Sequence, residues 1–241
     1  MRSSDITVSI VSHGQNALTN QLVQDVDRHC TAAVSVVLTE NVPDGIALGS
    51  GARRPLDVIR NARPKGFGAN HNAAFARCRT AYFCVANPDL RLAADPFAPL
   101  LDTLEHFDAA AAGPLVRTPA GAIEDSARRY PTANGLFRKL LHGSSGPDYP
   151  TDTGAQQVDW VAGMFMLFRA EDYQRVGGFD EGYFLYYEDV DICHRLRAAG
   201  RPVVYDPRVE VIHDARRASR RELRLALHHV RSALRFLARS G

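Results

Sequence analysis

Residues 56–90 read LDVIRNARPKGFGANHNAAFARCRTAYFCVANPDL, and the alternation within them sets the predicted fold. The apolar run at residues 56–59 predicts a strand, and the apolar run at residues 82–86 predicts another. Between them a polar glycine loop leads into a helix over residues 72–79. A strand, a helix and a strand in this order predict a β-α-β unit with parallel strands, and such sheets bind ligands beyond the carboxyl ends of their strands.

The same alternation continues on both sides of this unit. Strands are predicted at residues 6–11 and 33–38, with a helix over residues 18–29 between them. Further along, the apolar patterns predict strands at residues 109–116, 158–168, 202–205 and 209–212 and a short helix at residues 171–176. Residues 117–157 are rich in Gly, Pro, Ser and Thr, which predicts an irregular region rather than a separate domain. The fold class predicted is α/β, Rossmann-like, with a mainly parallel sheet flanked by helices.

Composition narrows the class of protein. A chain of 241 residues with 45% hydrophobic residues is long enough for one large α/β domain or two small ones. A formal net charge of +2 is too small to indicate nucleic acid as the main partner. The four cysteines are scattered without metal-binding spacing, which predicts reduced thiols in a cytosolic protein. Neither a signal peptide nor a membrane span is predicted, so we expect a protein that is soluble or held at a surface.

Polar residues follow each of the predicted N-terminal strands. Ser12 and His13 come after the first strand, and Glu40 and Asn41 come after the second. The loop KGFGANHN at residues 65–72 opens a helix, which favours either phosphate binding at the helix N-terminus or a plain tight turn. It does not fit a dinucleotide fingerprint, because His71 stands where a third glycine or alanine is required.

The fourth strand ends at the turn Asn87-Pro88-Asp89. Proline cannot donate to the sheet, so we expect the Asp89 side chain to project beyond the strand end. A carboxylate there suits Mg²⁺ or Mn²⁺, although an Asx or proline turn would place an aspartate at the same position. His213 follows its own strand and is either a second metal ligand or a structural histidine.

Three acids, Glu188, Asp189 and Asp191, follow the aromatic run YFLYY at residues 183–187. A helix predicted from residue 190 would be stabilised by acids in its first turn, with Asp189 as a possible N-cap. The apolar run before them instead favours the wall of a pocket with carboxylates at its floor. Core packing is the alternative for the aromatic residues, and we expect it for Phe184.

These residues together carry a resemblance to a known family. VSHG after the first strand, KGFGANHN, ANPDLRL and the segment VAGMFMLFRAEDYQRVGGFDEGYFLYYEDVDICHRLRAAG resemble the family-two glycosyltransferases of the GT-A fold, especially their rhamnosyltransferase-like branch. The resemblance covers residues 6–213, and residues 160–200 are its specific part. It implies a GT-A-like domain over residues 1–215, with a nucleotide-sugar-binding half at residues 1–115 and an acceptor-binding half at residues 116–215.

The resemblance also implies an activity. Such enzymes invert the anomeric centre while moving a sugar from a nucleoside diphosphate donor, here dTDP-rhamnose or a UDP-sugar, to a hydroxyl of a glycan or lipid-linked acceptor in bacterial cell-surface polysaccharide synthesis. Asp189 matches the general base and Glu188 would orient the acceptor. Asp89, with His213, matches the divalent-metal site, but Asn87-Pro88-Asp89 has one carboxylate fewer than the family's D-x-D motif. The donor-binding residues implied are Ser12, His13, Glu40, Asn41, Lys65, Gly66, Gly68, Asn70 and Asn87, and the acceptor-binding residues are Trp160, Gly163, Tyr186 and Tyr187.

Residues 216–241 predict a basic amphipathic helix. Its apolar stripe consists of Leu223, Leu227, Val230, Leu234 and Leu237, and Arg220, Arg224, Arg231 and Arg235 lie beside it. Such a stripe packs on its own domain or on a second subunit, or it lies on an anionic membrane surface. We therefore expect a cytoplasmic protein that is either peripheral at the inner face of the plasma membrane or a homodimer.

Two rival functions remain at this point. An NAD(P)-dependent oxidoreductase is favoured by the G-x-G of the loop and by Asp89 about twenty residues later, but it is opposed by His71. A nucleotide-sugar or glycan-binding module without catalysis is opposed by the presence of both Asp89 and Asp189.

Overall fold

The computed structural model describes residues 6–132, 146–214 and 223–239. The strands in these ranges are β1 (Ile6–His13), β2 (Val34–Val42), β3 (Leu56–Arg60), β4 (Tyr82–Ala86), β5 (Leu90–Arg91), β6 (Ala111–Arg117), β7 (Ile123–Glu124), β8 (Ala127–Arg128), β9 (Gln156–Gln157), β10 (Trp160–Val161), β11 (Phe165–Arg169) and β12 (Val203–His213). The helices are α1 (Asn16–His29), α2 (Phe67–Phe75), α3 (Phe97–His106), α4 (Ala170–Arg175), α5 (Glu188–Ala198) and α6 (Leu223–Arg239).

One mixed sheet organises the described part of the chain. Its order is β3-β2-β1-β4-β11-β6-β12-β5, with β7 beside β6 and β9 beside β12. The first four strands are parallel, as the β-α-β pattern predicted. The strand β11 then runs antiparallel to both β4 and β6, while β12 is parallel to β6. The predicted halves, residues 1–115 and 116–215, therefore share a single sheet.

Helices cover both faces of this sheet. Alternation along β1 places Ile6, Val8 and Ile10 in a core cluster with residues of α1 and α3. A second cluster on the other face joins residues of α2, α4 and α5 to Phe83 and Phe168. Burial on both faces explains why β4 is apolar at every position, as expected for a central strand.

The helix after the glycine loop begins earlier than predicted. We expected residues 72–79, but α2 spans Phe67–Phe75 and includes the second half of the loop. The N–H of Phe67 donates to the carbonyl of Phe184 at 2.9 Å, so one of the unpaired N–H groups of the first turn is satisfied from outside the helix. After Phe75 the chain forms i→i+3 bonds, which tighten and end the helix.

Two other boundaries differ from the predictions. The predicted strand at residues 158–168 is divided into β10 and β11, because residues 162–164 leave the ladder to make the contacts described below. The two short strands predicted at residues 202–212 form one strand, β12, whose pairing register shifts between Asp206 and Glu210. Within this irregular stretch, the Arg208 guanidinium donates to the buried Asp206 carboxylate and so pairs its charge.

The C-terminal helix α6 packs on the domain through a face other than the predicted leucine stripe. Ser232, Ala233 and Phe236 are buried, the last in a cluster with Tyr183 and Tyr187. In contrast, Leu227, Val230 and Leu234 are 68%, 56% and 63% exposed. The side chains of Leu223 and Arg224, and Arg220 entirely, lie outside the described residues. No helix in the described ranges is long and apolar enough to cross a membrane.

Candidate active site

Asn41 is the centre of a hydrogen-bond network at the carboxyl ends of the parallel strands. Its Nδ2 lies 3.0 Å from Nδ1 of His13 and donates to the Lys65 carbonyl, also at 3.0 Å. Its Oδ1 accepts from the Lys65 N–H at 2.8 Å and from the Asn61 amide at 2.9 Å. The end of β2 thereby fixes the start of the glycine loop, while the Lys65 side chain is exposed.

Ser12 and Glu40 belong to a neighbouring network that converges on Asn16 of α1. The Ser12 hydroxyl donates to Asn16 Oδ1 at 2.5 Å, and the Asn16 amide donates to Glu40 Oε1 at 2.9 Å. The other Glu40 oxygen lies 3.4 Å from Arg60. Ser12 is fully buried and uses its hydroxyl within the protein, so its observed contribution is to orient Asn16 and Glu40.

The glycines of the loop permit two close backbone approaches. A Cβ on Gly66 would lie 2.6 Å from the Phe184 carbonyl, and a Cβ on Gly68 would lie 2.7 Å from Cβ of Phe179. The Asn70 amide donates to the carbonyls of Lys65 and Gly66, which closes the turn from within. Ser12 and Asn70, both predicted donor ligands, therefore lie at the site but have their polar groups engaged by the protein.

His71 is a structural residue. It is buried, and its Nδ1 lies 2.8 Å from the Ser9 hydroxyl. Burial lowers the pKa of His71 to about 3, so the ring is neutral at physiological pH. The His71 ring therefore lies between α2 and the sheet, where a dinucleotide-binding helix has a small residue that lets the helix pack closely.

The turn at Asn87-Pro88-Asp89 is held between two strands. The Asn87 N–H donates to the Met164 carbonyl at 2.9 Å, and the Asp214 N–H donates to the Asp89 carbonyl at 2.9 Å. The antiparallel pair of β5 and β12 sets His213 opposite Leu90, directly after the turn. Asp89 and His213, which are distant in sequence, are brought together by this pairing.

The Asp89 and His213 side chains fit a divalent cation. Nε2 of His213 lies 3.2 Å from Oδ1 of Asp89, close to the separation of about 3 Å between adjacent ligands of an octahedral ion. Oδ1 is buried, and within the described ranges nothing donates a hydrogen bond to it, because the contact with His213 lacks hydrogen-bond geometry. No third His, Cys, Asp or Glu in those ranges completes a cluster, so the remaining ligands would be water and donor phosphates.

A second carboxylate, that of Glu124, adds to the effect of Asp89 on the charge of His213. Oε2 of Glu124 lies 2.7 Å from Nδ1 of His213. Burial alone lowers the pKa of His213, but the nearby Asp89 and Glu124 carboxylates outweigh it and raise the pKa to about 9. The ring therefore carries a proton on each nitrogen, and a divalent cation bound at Nε2 would take the place of the proton there.

Asp189 is the second residue of α5, and both of its oxygens are engaged. Oδ2 accepts from the Gly163 N–H and Oδ1 from the Val190 N–H, each at 2.9 Å. The residue keeps some solvent contact. Loss of hydration in the surrounding protein raises the pKa of the Asp189 carboxyl. These hydrogen bonds, and more weakly the Arg128 charge, oppose the rise. A carboxylate with a raised pKa next to solvent is suited to accept a proton.

The two flanking acids have different roles. Glu188 is 5% exposed, and in the described part of the chain Oε2 has no hydrogen-bond donor. Burial and then the neighbouring Asp189 charge raise the Glu188 pKa well above its ordinary value. Asp191 instead accepts from Arg195 one turn later at 2.7 Å, the structural role that the sequence allowed. The N-cap position is occupied by Tyr187, so the prediction of an N-cap at Asp189 is wrong.

The backbone before Asp189 is strained. Tyr186 and Tyr187 both have φ of 69°, a region that non-glycine residues seldom adopt. Two such residues in succession direct the chain abruptly into α5 and set Glu188 and Asp189 at its start. Strain of this kind persists where the surrounding packing holds it, and it concentrates at functional sites.

The aromatic residues are arranged differently from the prediction. Tyr187 is 7% exposed and packs near Phe236 and His229 of α6, so the predicted acceptor ligand is mainly a core residue. Phe184, for which we expected core packing, is 47% exposed and stacks on His228, so that expectation is wrong. Trp160 is half-buried, donates to the Arg129 carbonyl and lies below the Arg128 guanidinium.

Residues 162–164, between β10 and β11, connect the two predicted centres. The Gly163 N–H donates to the Asp189 carboxylate, and the carbonyl of the next residue, Met164, accepts from the Asn87 N–H in the Asp89 turn. A Cβ on Gly163 would lie 3.5 Å from Cβ of Asp189, so the backbone passes close beside the acid. Asp89 and Asp189 therefore flank one short segment of backbone.

The sequence prediction did not include the segment β7–β8. Glu124 on β7 contacts His213, and Arg128 on β8 lies within electrostatic range of Asp189 while pairing with Asp125 at 2.6 Å. The signal was present as the charged run EDSARR in a region otherwise rich in Gly, Pro, Ser and Thr. Pairing of β7 with β6 and of β8 with β10 places the run across both centres.

Comparisons with known proteins identify the family of the chain. Residues 6–231 match the profile "Glycosyltransferase like family 2". The N-acetylglucosaminyl-diphospho-decaprenol L-rhamnosyltransferase of Mycobacterium tuberculosis is 33% identical over 85% of this chain and 75% of that protein. The rhamnosyltransferase WbbL of Escherichia coli is 31% identical over 97% of this chain and 93% of that protein.

Solved structures share the fold. GalNAc-T7 with UDP, GalNAc and Mn²⁺ aligns with a TM-score of 0.71 at 14% identity, over 98% of this chain and 48% of that one. The mannosyltransferase PcManGT of Pyrobaculum calidifontis, in complex with GDP-Man and Mn²⁺, aligns with a TM-score of 0.67 at 15% identity, over 98% of this chain and 64% of that one. The GT-A fold expected from the sequence is confirmed, and the enzyme class is that of nucleotide-sugar-dependent glycosyltransferases. The chain belongs to glycosyltransferase family 2, in its rhamnosyltransferase-like branch.

Proposed function

We propose that this protein is an inverting glycosyltransferase that transfers rhamnose from dTDP-rhamnose, or another sugar from a UDP donor, to a hydroxyl of a glycan or lipid-linked acceptor. The observation that carries the proposal is the segment at residues 162–164, which contacts both Asp189 and the turn of Asp89. A base and a diphosphate site joined in this way suit a single displacement, with acceptor and donor on opposite sides of the sugar.

Asp189 is assigned the general base. Its carboxylate takes the proton of the acceptor hydroxyl as the oxygen attacks the anomeric carbon, and the bond to the nucleoside diphosphate breaks. The Gly163 and Val190 N–H groups hold the two oxygens in place, so that little reorientation is needed. Glu188, buried beside the base, is assigned to orient the acceptor.

The donor is assigned to the other side of the segment. His13, Glu40 and Asn41 surround the nucleoside, while the loop at residues 65–70 and Asn87 line the path of the diphosphate. A divalent cation, Mg²⁺ or Mn²⁺, would be held by Asp89 and His213 and supplies positive charge against the leaving diphosphate. The orphaned Oδ1 of Asp89 supports this assignment.

Calorimetric titration with UDP, dTDP, GDP and NAD, each with and without Mn²⁺, tests donor class and metal together. Binding of one nucleoside diphosphate that strengthens with Mn²⁺ is expected. Donor binding without turnover would instead support a non-catalytic module. The oxidoreductase rival is overturned by the family match.

The base assignment has a direct test in Asp189→Asn. This variant should bind the nucleoside diphosphate like the unmodified protein and lose transfer by about 10²–10⁴-fold, the usual contribution of a positioned base. Asp191→Asn is the matched control, because it removes a carboxylate of the same helix turn that pairs with Arg195. Asp191→Asn should keep transfer; full transfer by Asp189→Asn would refute the assignment.

We also propose that α6 holds the enzyme at the cytoplasmic face of the plasma membrane. Leu227, Val230 and Leu234 form an exposed apolar stripe, with the exposed Arg231 beside it. An apolar stripe flanked by arginine binds anionic lipid surfaces. A lipid-linked acceptor would then reach the site from the surface on which α6 lies; a homodimer through the same stripe is the alternative.

A further inference from the structure

Glu124 makes a close polar contact with His213, the proposed metal ligand. Its Oε2 lies 2.7 Å from Nδ1, the ring nitrogen opposite the one that faces Asp89. We propose that Glu124 is a positioning residue for the cation site: it keeps the proton of His213 on Nδ1 and so leaves Nε2 to bind a divalent cation with Asp89. This inference rests on the proposed function, because it assumes a cation at Asp89 and His213.

The three side chains are held by adjoining strands. His213 ends β12, whose Ile212 pairs with Arg91 of β5 on one side and with Arg117 of β6 on the other. Val116 and Arg117 of β6 pair in turn with Glu124 and Ile123 of β7. The ladder therefore fixes Glu124 on one side of the imidazole and Asp89 on the other.

The burial of the group makes this arrangement selective. The side chains of Asp89, His213 and Glu124 are 13%, 11% and 21% exposed, so water competes weakly for their hydrogen bonds. A neutral imidazole has one proton, and a hydrogen bond accepted from one nitrogen decides which lone pair is free. With Glu124 accepting from Nδ1–H, Nε2 is the nitrogen whose lone pair a cation would use, and it faces the buried Oδ1 of Asp89, which has no donor in the described ranges.

This role matters because the site has few protein ligands. The turn supplies one carboxylate where the family pattern has two, and within the described residues no third ligating side chain is present. Each of the two ligands must then be well oriented for the cation to be retained. Carboxylates that orient a metal-binding histidine typically change metal affinity by about 10–100-fold.

Glu124→Ala tests the inference through metal affinity rather than turnover. Free Mn²⁺ is measured by electron paramagnetic resonance in titrations at saturating UDP or dTDP, whichever nucleotide the unmodified protein binds. Glu124→Ala should weaken Mn²⁺ binding about 10–100-fold, while metal-free nucleotide binding stays unchanged. Glu124→Gln, whose amide oxygen still accepts from Nδ1–H, should recover most of the affinity.

Glu210→Ala is the matched control. Glu210 lies on β12 three residues before His213, pairs with Arg117 and has a side chain that is 49% exposed. This variant removes the same charge from the same strand region and should leave Mn²⁺ affinity unchanged.

The outcomes separate the two levels of the proposal. Unchanged Mn²⁺ affinity in Glu124→Ala, with normal binding by the unmodified protein, would overturn the positioning role alone. A parallel loss of Mn²⁺ and metal-free nucleotide binding would also overturn it, because Glu124 would then support only the fold. Absence of Mn²⁺ binding in the unmodified protein would overturn the cation site and this inference together.

Discussion

The two carboxyls at the start of α5 are adjacent in sequence but differ in their surroundings. Asp189 accepts two backbone hydrogen bonds and touches solvent, while Glu188 is buried with an oxygen that finds no donor in the described ranges. Both have raised pKa values because burial disfavours their charged forms. When two such groups interact, their protons are lost as a pair, so the pH dependence of the site is a property of both.

Arg128 provides a test of how this pair titrates. Burial raises the pKa of Asp189 and the charge of Arg128 lowers it, so Arg128→Met should raise it further. Because Asp189, as the proposed base, works when deprotonated, the acid limb of the pH–rate profile should move to higher pH. Activity near about pH 6 should therefore fall more than activity near about pH 9.

Arg129→Met is the control for Arg128→Met. The Arg129 guanidinium lies over the Tyr149 ring, and Arg129 follows Arg128 directly in the chain. Its profile should keep the acid limb of the unmodified enzyme. An identical profile for Arg128→Met would mean that Arg128 does not act on the base.

The buried carboxyl of Glu188 should lower the stability of the folded protein, although we propose that it orients the acceptor. Its folded-state pKa lies above the unfolded value, so folding is penalised as the pH rises above that unfolded pKa. Glu188→Gln removes the buried charge at nearly constant shape. Its Tm should exceed that of the unmodified protein at about pH 8, and the difference should vanish toward about pH 3, where the carboxyl is protonated in both states.

The exposed Glu105 of α3 supplies the comparison. Glu105→Gln should leave Tm unchanged at both pH values. A lower Tm for Glu188→Gln at about pH 8 would show that the ionised carboxylate is stabilised by a contact other than those described.

At the scale of elements, the sequence specified the strands better than their ends. Local apolar patterns are sufficient to predict the parallel strands β1 to β4 and the two covered faces of the sheet. They also place Asp89 after β4 and Asp189 after the aromatic run. The start of α2 and the break between β10 and β11 depend on partners about 115 and 75 residues away, respectively, in Phe184 and Asn87. The local pattern does not contain that information.

The same limit explains the missed residues. Glu124 and Arg128 lie on two-residue strands whose placement comes from pairing with β6 and β10 rather than from any periodicity. The packing face of α6 was also missed. The leucine stripe is the stronger local signal in the sequence, but Phe236 is the residue that packs in a buried cluster of the domain. Long-range pairing thus determines which charged residues reach the site.

The glycine loop contacts the chain around Phe184, here called the 184 segment, and this contact gives a prediction at the scale of elements. Gly66→Ala would place Cβ 2.6 Å from the Phe184 carbonyl, so the backbone of one element must move. The cost should be about 1–3 kcal/mol, and Tm should fall by roughly 2–4 °C for each kcal/mol in a chain of this size. Transfer should fall as well, because Phe184 precedes the strained turn into α5.

Gly154→Ala is its matched control. Gly154 has no atom within 4 Å of a built Cβ and no positive φ. Its Tm and transfer should match those of the unmodified protein. Equal Tm values for both alanine variants would show that the loop and the 184 segment are not in close contact in solution.

At the scale of the whole molecule, the position of α6 decides which side of the enzyme would face a membrane or a second subunit bound to its outer stripe. It is bound to the domain by Arg235 and Asp180 at 2.9 Å and by the Ser232 hydroxyl, which donates to the Leu185 carbonyl at 3.0 Å. The elements it contacts are the ones that precede Asp189. A surface that bound the outer stripe of α6 would therefore lie beside the acceptor side of the site.

Co-sedimentation with vesicles tests this orientation. The double variant Leu227→Glu with Leu234→Glu should bind anionic vesicles more than about tenfold more weakly, since two large apolar side chains are lost from the contact. Ala226→Glu with Ala238→Glu adds the same charge on exposed positions of the same helix and should bind more strongly than the leucine variant. If light scattering instead shows a dimer that the leucine variant dissociates, the stripe is a subunit interface.

The segment at residues 162–164 has a consequence for the timing of the reaction. One peptide unit separates the group that touches the base from the group that touches the Asn87 turn, so the two cannot be displaced independently. Occupation of the nucleotide side would settle that peptide and, with it, the position of the base before any acceptor arrives. We expect the enzyme to take its substrates in a compulsory order, with the nucleotide sugar binding before the acceptor.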